Sequence, residues 1–258
     1  MLKLNHLLYH VGTAQILKDV TLELEAGLFH VIAGPNGSGK STLLKIMSGE
    51  YKAFAGTVTY NNEPLGSVSK LKLAQQRAVM SQHTELQFPL SVEEVVLMGR
   101  YPYFQFRPSA NDLQVCHYVM KEMEIESYAQ RNYLTLSGGE QQRVQFARVL
   151  AQLGDETDKS GKILFLDEAV SSLDIKYQHQ LLQKVKSLVL EGVTVVCILH
   201  DLNLAVQYAD RLLFLKNGSL YASVSGHNDL TTTVLQEVYD VPFQKTFTQN
   251  GERPLFYR

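Results

Sequence analysis

With 258 residues the chain can form one large domain with a sizeable core, and a net charge of −2 gives no reason to expect a nucleic-acid partner. Two cysteines, Cys116 and Cys197, lack metal-type spacing, which argues against a disulfide scaffold and fits a reducing cytosol. No apolar run approaches the roughly 20 residues of a membrane-spanning helix, and no signal peptide is evident. In chain order, residues 28–33 form a short apolar run that suits a buried strand and is too short for most helices. Glycines follow, and then Ser41, Thr42, Leu43, Leu44 and Ile46, whose apolar spacing suits a helix.

Strand, glycine loop and helix in that order are the context in which G-x-x-x-x-G-K-[ST] is a phosphate cradle, here Gly34 to Ser41. Asn36, Gly37, Ser38 and Gly39 present backbone N–H groups, and the helix start adds positive potential. Lys40 supplies a point charge to the β and γ phosphates of a nucleotide. Ser41, followed by Thr42, is placed to ligate Mg²⁺. An ordinary glycine turn would not need every one of these residues.

From about 83 to 161 the pattern becomes helical. Ser91 and Glu94 form a capping-box pattern ahead of an apolar stretch. Residues 99–106 are dense in aromatics, most of which should pack locally, with a docking surface for a partner helix as the alternative. A second capping box, Ser137 to Glu140, opens a helix whose core positions include Val144, Ala147, Val149 and Leu150. Capping explains Ser137 and Glu140 but not the paired glycines Gly138 and Gly139. These leave the helix start uncovered, so a phosphate can approach its N–H groups. A second phosphate-binding helix start has no use on its own polypeptide, so it is expected to serve an ATP on a neighbouring copy. Residues 154–161 read as a polar, solvent-exposed loop.

Two further buried-strand patterns follow, at 162–167 and 193–199. The first ends on Asp167, which can hold the Mg²⁺ shell, and then Glu168, which can polarise a water for in-line attack. The second delivers His200 and Asp201 to the same end of the sheet, where the histidine can donate to a γ-phosphate. Asn217-Gly218 reads as a hairpin turn. Strands and helices alternate from 162 onward, as a mostly parallel sheet requires.

These segments carry a family resemblance over nearly the whole chain: it resembles the ATPase subunits of ATP-binding cassette (ABC) transporters. Residues 136–143 resemble the family signature, and residues 34–42 its phosphate loop. The resemblance implies an α/β fold. Its core is a P-loop NTPase (RecA-like) unit with a mostly parallel sheet, and it adds an antiparallel β subdomain and a helical signature subdomain. One domain, 1–258, would divide into a core with β subdomain (1–82 and 162–258) and a helical subdomain (83–161).

By the same resemblance, Gln82 is the metal- and water-sensing glutamine, His200 the switch histidine, and Asp174 part of a segment that crosses a dimer interface. Tyr9 stands where the family stacks an aromatic ring on adenine. Ala169 and Val170 depart from the family's usual Pro-Thr, which puts the geometry of that turn in question. Two copies would face each other head to tail, each ATP, with Mg²⁺, lying between one phosphate loop and the other chain's signature helix. Closure would be passed through the segment after Gln82 to polytopic membrane permease subunits at the cytoplasmic face of a bacterial inner membrane. A periplasmic or lipid-anchored binding protein would select the cargo. Met98 to Pro102 are similar to ATPases serving haem, iron-siderophore and vitamin B12 importers, and the run 140–153 is most similar to the haem branch. A single-cassette iron–sulfur-assembly ATPase is the nearest rival, although its signature commonly turns basic where this chain has Gln141-Gln142.

Overall fold

A computed structural model of the chain describes residues 1–81, 86–154, 159–171, 173–226, 229–247 and 254–257. The chain opens with an antiparallel pair, β1 (Leu2–Val11) and β2 (Ala14–Leu24). Leu2 and Leu4 point inward on alternate residues, and a shift of register at His6, which has a left-handed φ of 50°, brings Leu7 to the same face. β3 (Phe29–Ala33), buried at every position, leads through the glycine loop into α1 (Lys40–Met47). β4 (Ala55–Tyr60) pairs with β1, and β5 (Glu63–Pro64) with β4, completing a four-stranded antiparallel sheet.

Next come α2 (Lys70–Gln76), capped by Ser69, and β6 (Arg77–Met80). Three helices follow: α3 (Val92–Leu97), α4 (Ala110–Glu122) and α5 (Gly138–Leu153). Each starts on a complete capping box: Ser91 with Glu94, Ser109 with Asp112, and Ser137 with Glu140. The aromatic stretch between α3 and α4 divides. Tyr103 is built in, with its hydroxyl on the Gln152 carbonyl at 2.7 Å and the Arg100 guanidinium over its ring, while Tyr101 and Phe106 face solvent.

The remainder alternates strand and helix: β7 (Ile163–Asp167), α6 (Ile175–Leu190), β8 (Thr194–Ile198), α7 (Leu202–Tyr208), β9 (Arg211–Lys216), β10 (Ser219–Ser225) and α8 (Thr232–Tyr239). A short antiparallel pair, β11 (Gln244–Phe247) and β12 (Pro254–Tyr257), comes last. Asn217 and Gly218, with φ of 51° and 83°, form the β9–β10 hairpin turn, as two left-handed residues in a two-residue loop should. Of the expected polar loop, residues 155–158 lie outside the described residues.

The principal sheet has the order β10-β9-β3-β8-β7-β6, parallel except for β10. Strands covered on both faces should read as near-continuous apolar runs, and β3, β7 and β8 do, each carrying one buried polar residue: His30, Asp167 and Thr194. Alternate residues feed two cores. Ile163, Phe165, Val196 and Ile198 meet α1 and the antiparallel sheet, whereas Leu164, Leu166, Val195 and Cys197 meet the face carrying α3 to α6. The layering leaves the C-terminal ends of β3, β7 and β8 at one rim, where the site lies.

Candidate active site

β3 ends against the glycine loop, and the loop is tight for a steric reason. A Cβ on Gly34, whose φ is 142°, would stand 2.1 Å from the Leu215 carbonyl oxygen. The loop is also tied from behind: Gly218 N–H donates to the Ser38 carbonyl at 3.1 Å, and Lys18 N–H donates to the Gly218 carbonyl at 2.8 Å. Gly39, at φ 99°, precedes α1 and offers no side-chain cap, so the helix start is open to an anion. Asn36 and Gly37 are exposed, whereas Ser38 is buried, its hydroxyl without a hydrogen-bond partner among the described residues. Lys40 folds back onto the loop, donating to the Gly34 and Pro35 carbonyls, both at 2.9 Å. Burial pushes its ammonium pKa down, against the opposing pull of Glu168 and Asp167.

Ser41, one residue into α1, donates its hydroxyl to Asp167 Oδ1 at 3.1 Å, joining the phosphate-loop helix to the end of β7. Asp167 is buried, which raises its pKa above the ordinary aspartate value, with the Ser41 bond opposing and the Glu168 charge adding to the rise. Two oxygen donors this close suit a hard divalent cation such as Mg²⁺, which keeps most of its shell for waters and phosphates. No group of three or more His, Cys, Asp or Glu with metal-holding geometry occurs among the described residues.

Parallel pairing of β7 with β8 sets Asp167 opposite Ile198, so Glu168 and His200 leave the sheet side by side. Their side chains meet, His200 Nε2 standing 2.5 Å from Glu168 Oε1. Glu168 has a left-handed backbone, φ 54°, uncommon for a residue with a side chain. Glu168 does not cap the next helix: α6 is capped by Asp174, which accepts from Tyr177 N–H at 3.0 Å. Asp201 caps α7 in the same way.

At the second glycine segment Ser137 and Gly138 are exposed, and a Cβ built on Gly138 would meet nothing within 4 Å. Its box is intact: Ser137 N–H and hydroxyl each lie 2.7 Å from Glu140 Oε2. The Ser137 bonds hold the Glu140 carboxyl below the usual glutamate range. At the start of α5 the Ser137 hydroxyl thus takes the Glu140 N–H at 3.4 Å, while the exposed Gly138 places no side chain over the helix end.

Tyr9 and Gln82 complete the expected set. Tyr9 is half-buried, its ring stacked on Tyr51 with centroids 5.7 Å apart and planes within 11°. Gln82 lies outside the described residues. Sequence reasoning also passed over two glutamines: Gln142 Nε2 donates to the Ala169 carbonyl at 2.5 Å and Gln178 Nε2 to the Val170 carbonyl at 3.1 Å. A glutamine on a helix surface carries no local signal that distinguishes such a tether from a solvated side chain.

Residues 17–171 match the family described as ABC transporter. Over 99% of this chain and 95% of the relative, the sequence is 38% identical to the hemin import ATP-binding protein HmuV of Methylobacillus flagellatus. The protein of that name from Hahella chejuensis is 42% identical over 88% of this chain and 87% of its own. Among solved structures, an ABC transporter assigned to the metal-chelate type, in an inward-facing conformation, superposes with a TM-score of 0.81 at 25% identity, covering 99% of this chain and 96% of that one. The dimeric structure of a bacterial ABC transporter cassette gives a TM-score of 0.75 at 30% identity, covering 87% and 98%.

Proposed function

Because the chain belongs to the ABC transporter family and is an ATPase of that family, we propose that it powers a haem importer, two copies closing head to tail on ATP. The observation that carries the two-chain reading is the division of labour along the chain. Lys40, Ser41, Asp167, Glu168 and His200 gather at one rim, while the helix start is exposed at Gly138, where an added Cβ would meet nothing within 4 Å. A related cassette 30% identical to this chain has been solved as a dimer, which supports the same arrangement.

In this reading the β and γ phosphates settle on the N–H groups of residues 36–42, and Lys40 exchanges its two carbonyl partners for phosphate oxygens. Ser41 and Asp167, with Gln82, would hold Mg²⁺, which would supply charge compensation on the phosphate oxygens. Glu168 orients and polarises the attacking water, and His200, already against its carboxylate, donates toward the γ-phosphate. Ser137, Gly138 and Gly139 of the facing chain close over the triphosphate, with Asp174 at the boundary between chains. Closure is a differential-affinity effect, because ATP favours the state in which both chains touch it. Tyr9 contacts adenine only if its ring leaves Tyr51 or offers the base its other face.

No helix among the described residues is long and apolar enough to cross a membrane. In this reading the pathway belongs to polytopic permease subunits, on whose cytoplasmic side at the bacterial inner membrane this chain docks, with a periplasmic or lipid-anchored binding protein choosing the cargo. Haem is favoured because relatives 38% and 42% identical over most of their length are named for hemin import.

The test is reconstitution with a permease subunit and binding protein of its own source, comparing ATPase stimulation by haem, a ferric siderophore and cobalamin. Stimulation by haem supports the reading; stimulation by the siderophore or cobalamin alone replaces the cargo. In the same system Glu168→Gln should bind ATP while turnover falls by about 10²–10⁴, the range for a lost general base.

A further inference from the structure

The turn after Glu168 is held unusually well for four residues without a proline. The Glu168 carbonyl accepts from Ser171 twice, from its N–H at 3.1 Å and its hydroxyl at 2.9 Å. The next carbonyl, Ala169, accepts from the side-chain amide of Gln142 on α5 at 2.5 Å. The one after, Val170, accepts from Gln178 on α6 at 3.1 Å and from Leu173 N–H at 3.2 Å. The Ala169 and Val170 side chains are buried, at 1% and 7% exposure, so the turn cannot swing outward without uncovering them. Neither residue carries the ring that would lock φ. These hydrogen bonds, with the burial of Ala169 and Val170, hold Glu168 at its left-handed φ of 54°, a conformation that persists only where its surroundings impose it.

Gln142 differs from the other restraints in where it comes from. It lies on α5, the helix whose glycine start is Gly138-Gly139, and the carbonyl it holds is next to the residue facing His200. The same helix is fixed a second time across this boundary, by the Arg143 guanidinium over the Tyr177 ring of α6 at 4.5 Å. A tilt of α5 therefore pulls on the backbone that presents Glu168.

We propose that Gln142 is a positioning residue for Glu168 of its own chain. It links the helix that closes on the facing chain's ATP to the carboxylate that acts on this chain's ATP. This inference rests on the two-chain reading above, from which it follows that one side-chain amide joins two different nucleotide sites. When a signature helix seats on the facing chain's ATP, Gln142 draws the Ala169 carbonyl with it and sets Glu168 for the neighbouring site.

Pairs of unlike chains separate this role from mere stability. One chain keeps Glu168 and the other carries Glu168→Gln, so turnover reports one site. Gln142→Met, which keeps the length but lacks the donor, is then placed on either chain. On the chain that keeps Glu168 it should lower kcat about tenfold with KM for ATP within twofold, as loss of orientation does. On the Glu168→Gln chain it should leave kcat within twofold. Equal losses in both placements, or no loss beside the active Glu168, overturn the proposal. If Gln142→Met does not fold, Gln142→Glu, which sets an acceptor against the carbonyl, is used in both placements with the same two outcomes. A further arm tests the underlying reading alone: Ser137→Trp on the Glu168→Gln chain must abolish turnover, and retained turnover there discards the two-chain reading whatever Gln142 does.

Discussion

Gly34→Ala should unfold the chain at a markedly lower temperature and abolish nucleotide binding. A Cβ there would sit 2.1 Å from the Leu215 carbonyl oxygen, and real Cβ atoms essentially never approach within 3.0 Å, so something must move by at least 0.9 Å. The obstacle is backbone of β9, held on one side by β3 and on the other by β10, and cannot rotate away as a side chain would. The φ of 142° adds strain of about 1–3 kcal/mol for a residue with a Cβ. Loosening one or two ladder bonds adds about 0.5–1.5 kcal/mol each. The total of roughly 1.5–6 kcal/mol lowers Tm by about 3–24 °C, at about 2–4 °C per kcal/mol for a chain of this size. Gly37→Ala is the internal control: its φ is 76° but nothing lies within 4 Å of its Cβ, so it meets strain without collision. Thermal unfolding followed by circular dichroism, with and without ATP, measures both. A Gly34→Ala protein that melts within about 2 °C of wild type, or a larger loss for Gly37→Ala, refutes the steric reasoning.

Arg100→Ala should destabilise by about 3–5 kcal/mol, the usual cost of stranding one member of a buried pair, since Arg100 and Asp112 meet at 2.9 Å with side chains only 4% exposed. Urea unfolding measures it, and a loss under about 1 kcal/mol, the range of an exposed pair, would contradict the reasoning. His30 gives the pH dependence: burial lowers its pKa below 6.5, Nε2 bonds the Glu25 carbonyl at 2.9 Å, and Nδ1 has no partner among the described residues. Because the folded form binds fewer protons there, its stability is fully present above pH 6.5. It is lost as pH falls below that value toward the folded pKa, at no more than about 1.4 kcal/mol per pH unit. His30→Val should cost about 1 kcal/mol at pH 7.5 through the lost Glu25 bond, and the gap should close or reverse by pH 5.5. Parallel urea curves at both pH values contradict this.

Legibility in the sequence followed the range of the interaction. β3, β7 and β8 announced themselves because a strand covered on both faces is apolar at nearly every position, each of these holding a single polar residue. Ser91 with Glu94 and Ser137 with Glu140 were readable because a capping box is local, and Ser109 with Asp112 carried the same pattern unread. Ser41 and Asp167, 126 positions apart, could be joined only through the chemistry that both serve. Contacts without a shared chemistry stayed hidden: the Tyr9–Tyr51 stack, the buried Arg100–Asp112 pair and the Gln142–Ala169 bond depend on which elements become neighbours. Asp174 is the intermediate case, since an aspartate ahead of an apolar-periodic segment signals a cap, and the structure uses it so.

The most direct test is sedimentation of the Glu168→Gln protein with ATP, alone and with Ser137→Trp added. The single variant should sediment as a dimer carrying two ATP, and the double variant as a monomer that still binds ATP on its own loop. A Ser137→Trp protein with Glu168 intact that stays monomeric and hydrolyses ATP at the wild-type rate would contradict the two-chain site.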